Sequence, residues 1–238
     1  METLENLQQQ LSRLPLLQRL QLEGWLQDLN APPPPSGDRV EEARPAYQVD
    51  EPLFMSFEAY FDFEERSSIR HEFVNGFVFA MTGPSVAHVA VAGNLTFAFR
   101  SRLKRGPCNV FTSDLKVHIQ REANKICYYP DVVVDCRPDA REKYFVRSPK
   151  LIVEVLSPST HVTDRREKLQ HYSLIESLEE YVLAAQDEHK IVVYRRADGW
   201  RPHTYAGVEA VAEFRSMEWV IPLSEVYADV PDFPDDRL

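Results

Sequence analysis

Glu154 stands in the middle of an apolar run, Leu151-Ile152-Val153-Glu154-Val155-Leu156, with Pro149 before it and Pro158 after it. A short run rich in β-branched residues between prolines predicts a buried strand. A carboxylate left unpaired inside such a strand costs several kcal/mol, so it must be protonated, paired or bound to a cation. A second run, Tyr129-Pro130-Asp131-Val132-Val133-Val134, carries an aspartate at its mouth. Two acids on two apolar strands can hold a divalent metal ion. The plainer alternatives are a buried ion pair with an arginine or lysine for Glu154, and a strand-start turn residue for Asp131.

A hard cation such as Mg²⁺ takes oxygen ligands, usually one or two carboxylates plus water. Such an ion makes a water nucleophilic for phosphodiester hydrolysis, and a nearby lysine steadies the developing negative charge. The usual nuclease pattern puts that lysine two residues after the glutamate, where this chain has Leu156. Lys168, in Arg165-Arg166-Glu167-Lys168-Leu169-Gln170-His171-Tyr172, is the substitute if a helix after the strand returns it to the site; otherwise it is an exposed helical charge. Glu72, framed by Phe73, Val74 and Phe77, is a third acid, or a hairpin partner of Arg70. No Gly-rich phosphate loop occurs, so nucleotide-cofactor binding has no support.

These residues need elements to position them. Ser56 predicts a helix cap, with the helix running to about Ser67. Asn75-Gly76 between His71–Val74 and Phe77–Met81 is a strong hairpin signal. Residues 85–104 predict an amphipathic helix with Val89, Leu95, Phe99 and Leu103 toward the core and His88 in its first turn. His88 could cap that helix, contact phosphate or be structural. Val110–Phe111, Leu115–Ile119 and Ile126–Asp135 are strand candidates, and Asp114 lies at one strand edge. Asp164–Ile175 reads as helix, Glu180–Ala185 and Lys190–Arg196 as a strand pair, and Trp200–Tyr205 and Trp219–Ile221 as weaker strands. Ser157, right after the glutamate strand, is a loop residue or a phosphate contact. This irregular order predicts an α/β (α+β) domain with a mixed β-sheet rather than a βαβ repeat.

Residues 1–30 are Leu/Gln-rich, with Leu4, Leu7, Leu11 and Leu14 at helical spacing and Pro15 at the start of a second helix. They either pack on the core or drive self-association into a homodimer or higher homo-oligomer. The Pro32–Pro35 run predicts a semi-rigid linker, extended by acidic residues over 31–55. The catalytic candidate domain is then 56–225, and 226–238 is an acidic tail. The net charge of −10 argues against nucleic acid. It is concentrated at the two ends, however, and the middle of the chain is nearly neutral, with basic clusters around Arg100–Arg105 and Arg165–Lys168. No run approaches the ~20 apolar residues of a membrane span, and the acidic, Gln-rich start argues against a signal peptide. Cys108, Cys127 and Cys136 are odd in number and lack metal-type spacing, so reduced thiols and a cytoplasmic location are expected.

Several segments occur in a recognisable order: Arg70-His71-Glu72-Phe73-Val74-Asn75-Gly76, Ala87-His88, Ser113-Asp114-Leu115-Lys116-Val117, Pro130-Asp131-Val132-Val133-Val134, Glu154-Val155-Leu156-Ser157-Pro158-Ser159-Thr160, and Asp164…Lys168…Tyr172…Glu180-Tyr181. Over about residues 56–195 the chain resembles the Uma-type restriction endonuclease family of the PD-(D/E)XK nuclease superfamily. The resemblance implies a restriction-endonuclease-like fold, with a mixed sheet flanked by helices, and a Mg²⁺-dependent site (Mn²⁺ as alternative) acting on DNA. Carried over, it points to Glu72, Asp131 and Glu154 as metal-binding acids and Lys168 as a migrated lysine. Apart from the resemblance, His88, Asp114 and Ser157 are the candidates for substrate contact. The alternative is an inactive nuclease-fold binding or assembly protein that oligomerises through its N-terminal helices.

Overall fold

The computed structural model describes residues 53–104, 106–121, 124–137, 142–157 and 164–231. The 1–30 segment, nearly all of the 31–55 linker and the last seven residues of the tail lie outside the described residues. In chain order the elements begin with β1 (Leu53–Phe54), α1 (Phe57–Arg66), β2 (His71–Val74), β3 (Phe77–Ala80) and α2 (Val86–Arg102). They continue with β4 (Asn109–Thr112), β5 (Lys116–Arg121), β6 (Asn124–Tyr128), β7 (Val132–Asp135), β8 (Phe145–Val146) and β9 (Leu151–Leu156). A wide π-type turn, Asp164–Lys168, then leads into α3 (Leu169–Ser173). The last elements are β10 (Glu180–Ala185), β11 (Lys190–Arg195), β12 (Arg201–Ala206), β13 (Val211–Phe214), β14 (Trp219–Pro222) and α4 (Leu223–Val226).

The fold is α+β, and its strands form two large mixed sheets. The first has the order β1-β3-β2-β6-β5-β8 and the second β12-β11-β10-β9-β7-β4. A small β13-β14 ladder stands apart. One expected strand is divided. Ile126–Asp135 becomes β6 in the first sheet and β7 in the second, separated by Tyr129-Pro130-Asp131. Proline has no N–H for a central ladder, so the pairing stops there and the chain changes sheets. Asp131 therefore sits at the crossover, at the mouth of β7.

Local signals account for the frame. Ser56 Oγ accepts from the Ala59 N–H and Ser85 Oγ from the His88 N–H, capping α1 and α2. Asn75 (φ 50°) and Gly76 (φ 103°) form the tight turn between β2 and β3, where both central residues need positive φ. In α2 the buried positions are Val91, Leu95, Ala98 and Phe99. Val89, expected in the core, is exposed, because it lies more than half a turn around the helix from Val91.

β9 and β10 are buried along their whole length and pair in parallel. On one face of that sheet, Val153 and Val182 pack with Leu95 and Phe99 of α2 and with Phe214 and Ile221 of the small ladder. On the other, Ile152, Tyr181 and Leu183 pack against Val117, Ile126 and Tyr128 of the first sheet. α1 covers the far side of the first sheet through Tyr60, Phe73 and Cys127. The chain joins the first sheet from Leu53, and Val226, Tyr227 and Val230 belong to the core, so packed structure reaches past 56–225 at both ends.

Cys108 and Cys136 form a disulfide, which corrects the expectation of three reduced thiols. The β4–β7 register pairs Asn109 with Asp135, so the flanking cysteines face each other. Their distance in sequence gave no hint of this. Cys127 is free and buried.

Candidate functional site

Parallel neighbours cannot be joined by a hairpin and need a crossover. The β9–β10 crossover contains the π-type turn and α3, and it lays Lys168 back over the strand that carries Glu154. Lys168 Nζ lies 3.2 Å from Glu154 Oε1, 3.0 Å from Glu72 Oε1 and 3.3 Å from Asp164 Oδ1. Only the Glu154 contact has an aligned hydrogen bond among the carboxylates. The ammonium also stands 5.1 Å from the centre of the Tyr128 ring, in cation–π range. Tyr172, one helical turn after Lys168, donates its hydroxyl proton to Glu154 Oε1 at 2.8 Å. Lys168, Glu154, Asp164 and Tyr172 are all buried.

Strand alternation aims the acids at one place. Glu72 shares a face with Val74, and Glu154 with Ile152 and Leu156; both are faces that meet between the two sheets. Asp131 extends the same logic. The β7–β9 register pairs Val132 with Val153, so one step outward sets Asp131 opposite Glu154. Asp131 makes no hydrogen bond or ion pair with Lys168, however. Its Oδ2 accepts the Val155 N–H at 2.7 Å, and its Oδ1 lies 2.9 Å from His88 Nε2. The α2 cap orients His88, which reaches Asp131 across the strand mouth.

Burial pushes the Glu154 carboxyl well above the usual range. The Lys168 ammonium opposes this, while Asp164, Asp131 and Glu72 add to it. Burial works against the Lys168 charge too, but Glu154, Glu72 and Asp164 together carry its pKa well above that of an ordinary lysine. One ammonium faces an excess of acids, so the cluster keeps its lysine charged and raises the proton affinity of its innermost carboxyl. Behind it, the Tyr128 hydroxyl donates to Glu167 Oε1 at 3.2 Å and lies 2.6 Å from His171 Nδ1. Burial lowers His171 to about 4.

The structure thus brings together Glu72, Glu154 and Lys168, with Asp131 beside them held by His88. The alternative of Lys168 as an exposed charge is excluded by its burial, and the Arg70 partner is Asp114 rather than Glu72. Glu154 does have the buried lysine partner considered for it. Asp114 is exposed and stands apart from the cluster. Ser157 follows β9 and is half-buried. Asp164 and Tyr172 join the cluster although the sequence assigns them no role of their own. Their signal was the spacing: 164, 168 and 172 follow one another at four-residue steps, which stack on one helical face.

The family model described as "Uma2: Putative restriction endonuclease" matches residues 57–224. The chain belongs to the Uma2 family. A relative from Synechocystis sp., the uncharacterized protein slr1290, is 37% identical over 145 residues, 60% of this chain and 75% of that protein. A second from the same organism, sll1609, is 27% identical over 164 residues, covering 67% of this chain and 92% of its own length. Among solved structures, "a putative nuclease belonging to DUF820" from Anabaena variabilis superposes with a TM-score of 0.55 at 18% identity. The match covers 68% of this chain and 91% of that one. At that identity the likeness speaks for the fold. The Uma2 match covers every strand from β2 to β14 and every residue of the acidic cluster. None of the helices among the described residues is long and apolar enough to cross a membrane.

Proposed function

We propose that this Uma2 domain is a Mg²⁺-dependent DNA endonuclease, with Mn²⁺ as an alternative ion, that hydrolyses phosphodiester bonds using Glu72, Asp131, Glu154 and Lys168. The support is convergence: acids from two different sheets meet at one lysine. Hard carboxylate oxygens suit Mg²⁺. Glu72 Oε1 and Asp164 Oδ1 are buried and lack an aligned hydrogen-bond donor, so acceptors facing Lys168 retain capacity for a cation. Glu72, Asp131 and Glu154 would hold the ion, and the chemistry it supplies there is a water of lowered pKa.

The chain's own groups do the rest. Lys168 opposes the negative charge that develops on the phosphate. Tyr172 keeps Glu154 from turning away, and the Val155 N–H and His88 do the same for Asp131. His88, at the strand mouth, and Ser157, at the end of β9, are the side chains we assign to phosphate contact. Asp114 is assigned none, because it is paired with Arg70. The test is plasmid nicking with Mg²⁺ or Mn²⁺. Asp131→Ala and Glu154→Ala should each lower the rate by a hundredfold or more, on the order expected when a transition-state charge contact is lost. Nicking that persists unchanged in both variants sinks this reading.

One observation favours the second reading, a catalytically inactive nuclease-fold binding protein. Among the described residues no three His, Cys, Asp or Glu side chains are preset around an ion. Lys168 Nζ itself lies between Glu72 and Glu154. Calorimetric titration with Mn²⁺ separates the two: a saturable heat lost in Glu154→Ala supports the nuclease, and no heat at millimolar metal supports the binding protein.

A further inference from the structure

A cavity of about 250 Å³ lies beside α1, on the face of the first sheet turned away from the acidic cluster. Lys116 fixes that side. It alternates with Val117, which is packed between the sheets, so its own side chain points the other way. Phe61, Tyr129 and Tyr144 give the cavity three aromatic rings. The Lys116 ammonium is half-buried and makes no hydrogen bond or ion pair among the described residues. Its neighbours are the Tyr129 ring at 5.0 Å and the Phe61 ring at 5.9 Å. Burial also holds its pKa below that of an ordinary lysine. The Glu64 carboxylate partly offsets this through space, without a direct contact. A lysine drawn out of water with no hydrogen-bonded acceptor among the described residues is a donor waiting for one.

The remaining polar groups narrow what that acceptor is. Glu64 lines the cavity but is committed, taking the Tyr129 hydroxyl at 2.6 Å and the His71 N–H at 3.0 Å. Glu65, also in the lining, is exposed and open to a donor. A lining that holds carboxylates as well as lysine disfavours a bare anion. It favours a neutral, flat molecule with acceptors on one edge and N–H groups on another. The volume is below the roughly 300–1,000 Å³ of sites for drug-sized ligands, which suits one heterocycle. Guanine offers adjacent N7 and O6 acceptors, the edge that lysine reads most often, and its N–H groups face a carboxylate. Aromatic rings bind unstacked bases through their faces.

We propose that this cavity receives a single unstacked nucleobase, guanine best, from the nucleic acid on which the domain acts. The proposal rests on the nuclease reading for the identity of that partner. The position agrees. Arg70 of the lining precedes Glu72 by two residues, and Tyr129 precedes Asp131 by two, which is at most about 7 Å of chain in each case. The cavity and the acids therefore lie at the same end of the sheet.

Binding is measured by calorimetry on the full chain without metal, using dGMP, dAMP, dCMP, dTMP and inorganic phosphate. We expect dGMP to bind tightest and phosphate to give no comparable heat. Lys116→Met, which keeps the stem, should weaken dGMP at least tenfold. Tyr144→Ala, at a half-exposed ring whose loss spares the core, should weaken all four nucleotides by about tenfold. The proposal is overturned if phosphate binds as tightly as dGMP, if neither substitution changes dGMP affinity, or if no nucleotide binds at millimolar concentration. Metal-free binding is read separately from nicking. A positive binding result with no nicking would refute the cleavage reading and leave the base cavity standing.

Discussion

Replacing Lys168 with methionine tests the electrostatic account of the acidic cluster. The ammonium is the positive group facing Glu72, Glu154 and Asp164 at 3.0, 3.2 and 3.3 Å. Methionine fills most of the stem volume, so the dominant loss is charge. Removing one partner of a buried ion pair typically costs about 3–5 kcal/mol. At about 2–4 °C per kcal/mol for a domain of this size, the melting temperature at pH 7 should fall by roughly 6–20 °C. The deficit should shrink in acid. Without the ammonium the folded state holds a proton on Glu154 even more strongly, while the unfolded chain releases it near the ordinary 4.5. Above that pH the folded state binds more protons, so stability rises as pH falls. A second substitution, Glu154→Gln, removes the charge that the missing ammonium leaves exposed. The double variant should be less destabilised than the sum of the singles by about 1–3 kcal/mol. Urea unfolding at pH 7 and pH 5, followed by tryptophan fluorescence, measures all four proteins. A Lys168→Met cost under about 1 kcal/mol at pH 7, or strictly additive substitutions, would refute the reasoning.

Two further outcomes follow from particular side chains. Burial, with the Arg147 and Lys125 charges, lowers His118 from 6.5 to about 4, so the unfolded chain gains a proton there first as pH drops. Stability from this ring is complete above 6.5 and is lost as pH falls toward about 4. At about 1.4 kcal/mol per pH unit, roughly 2 kcal/mol goes between pH 6.5 and 5. His118→Phe keeps a ring between Phe57 and Phe145 and should lessen that acid loss by about this amount in urea titrations; an unchanged loss would show that His118 does not titrate there. Gly76→Ala should cost about 1–3 kcal/mol, because φ is 103° and the new methyl would overlap the Phe54 ring. A melting temperature equal to that of the parent chain would mean the turn tolerates a side chain.

Much of the candidate site was legible as a demand rather than a geometry. Glu154 in an apolar strand required compensation, and Lys168 was the nearest lysine that a following helix could return. Both expectations rest on short-range facts: strand alternation, helical repeat and the cost of a buried charge. The Asp131 arrangement was less legible. It is held by His88 and the Val155 N–H, and nothing in the spacing of 88, 131 and 155 announces a contact between a helix start and two strand ends. Asp164 is not legible as a site residue, because a charged residue in a helix is usually solvated, and only the crossover turns it inward.

The sequence by itself determined the local elements that need no partner. The Asn75-Gly76 turn follows from positive φ, the capped starts of α1 and α2 from serine hydroxyls, and the break at Pro130 from a missing N–H. It also determined that Glu154 could not stand alone, since the penalty for a buried charge is the same in any fold. Only the tertiary structure decided which groups answer it. Strand order and register are set by the whole hydrogen-bonded sheet, so β6 and β7 could separate into different sheets and Glu72 could face Glu154 from 82 positions away. The same register set Cys108 opposite Cys136 and left Lys116 with no hydrogen bond or ion pair among the described residues, at a cavity of aromatic rings. Distance along the chain carries no information about such neighbours, because they are chosen by the packing of the two sheets.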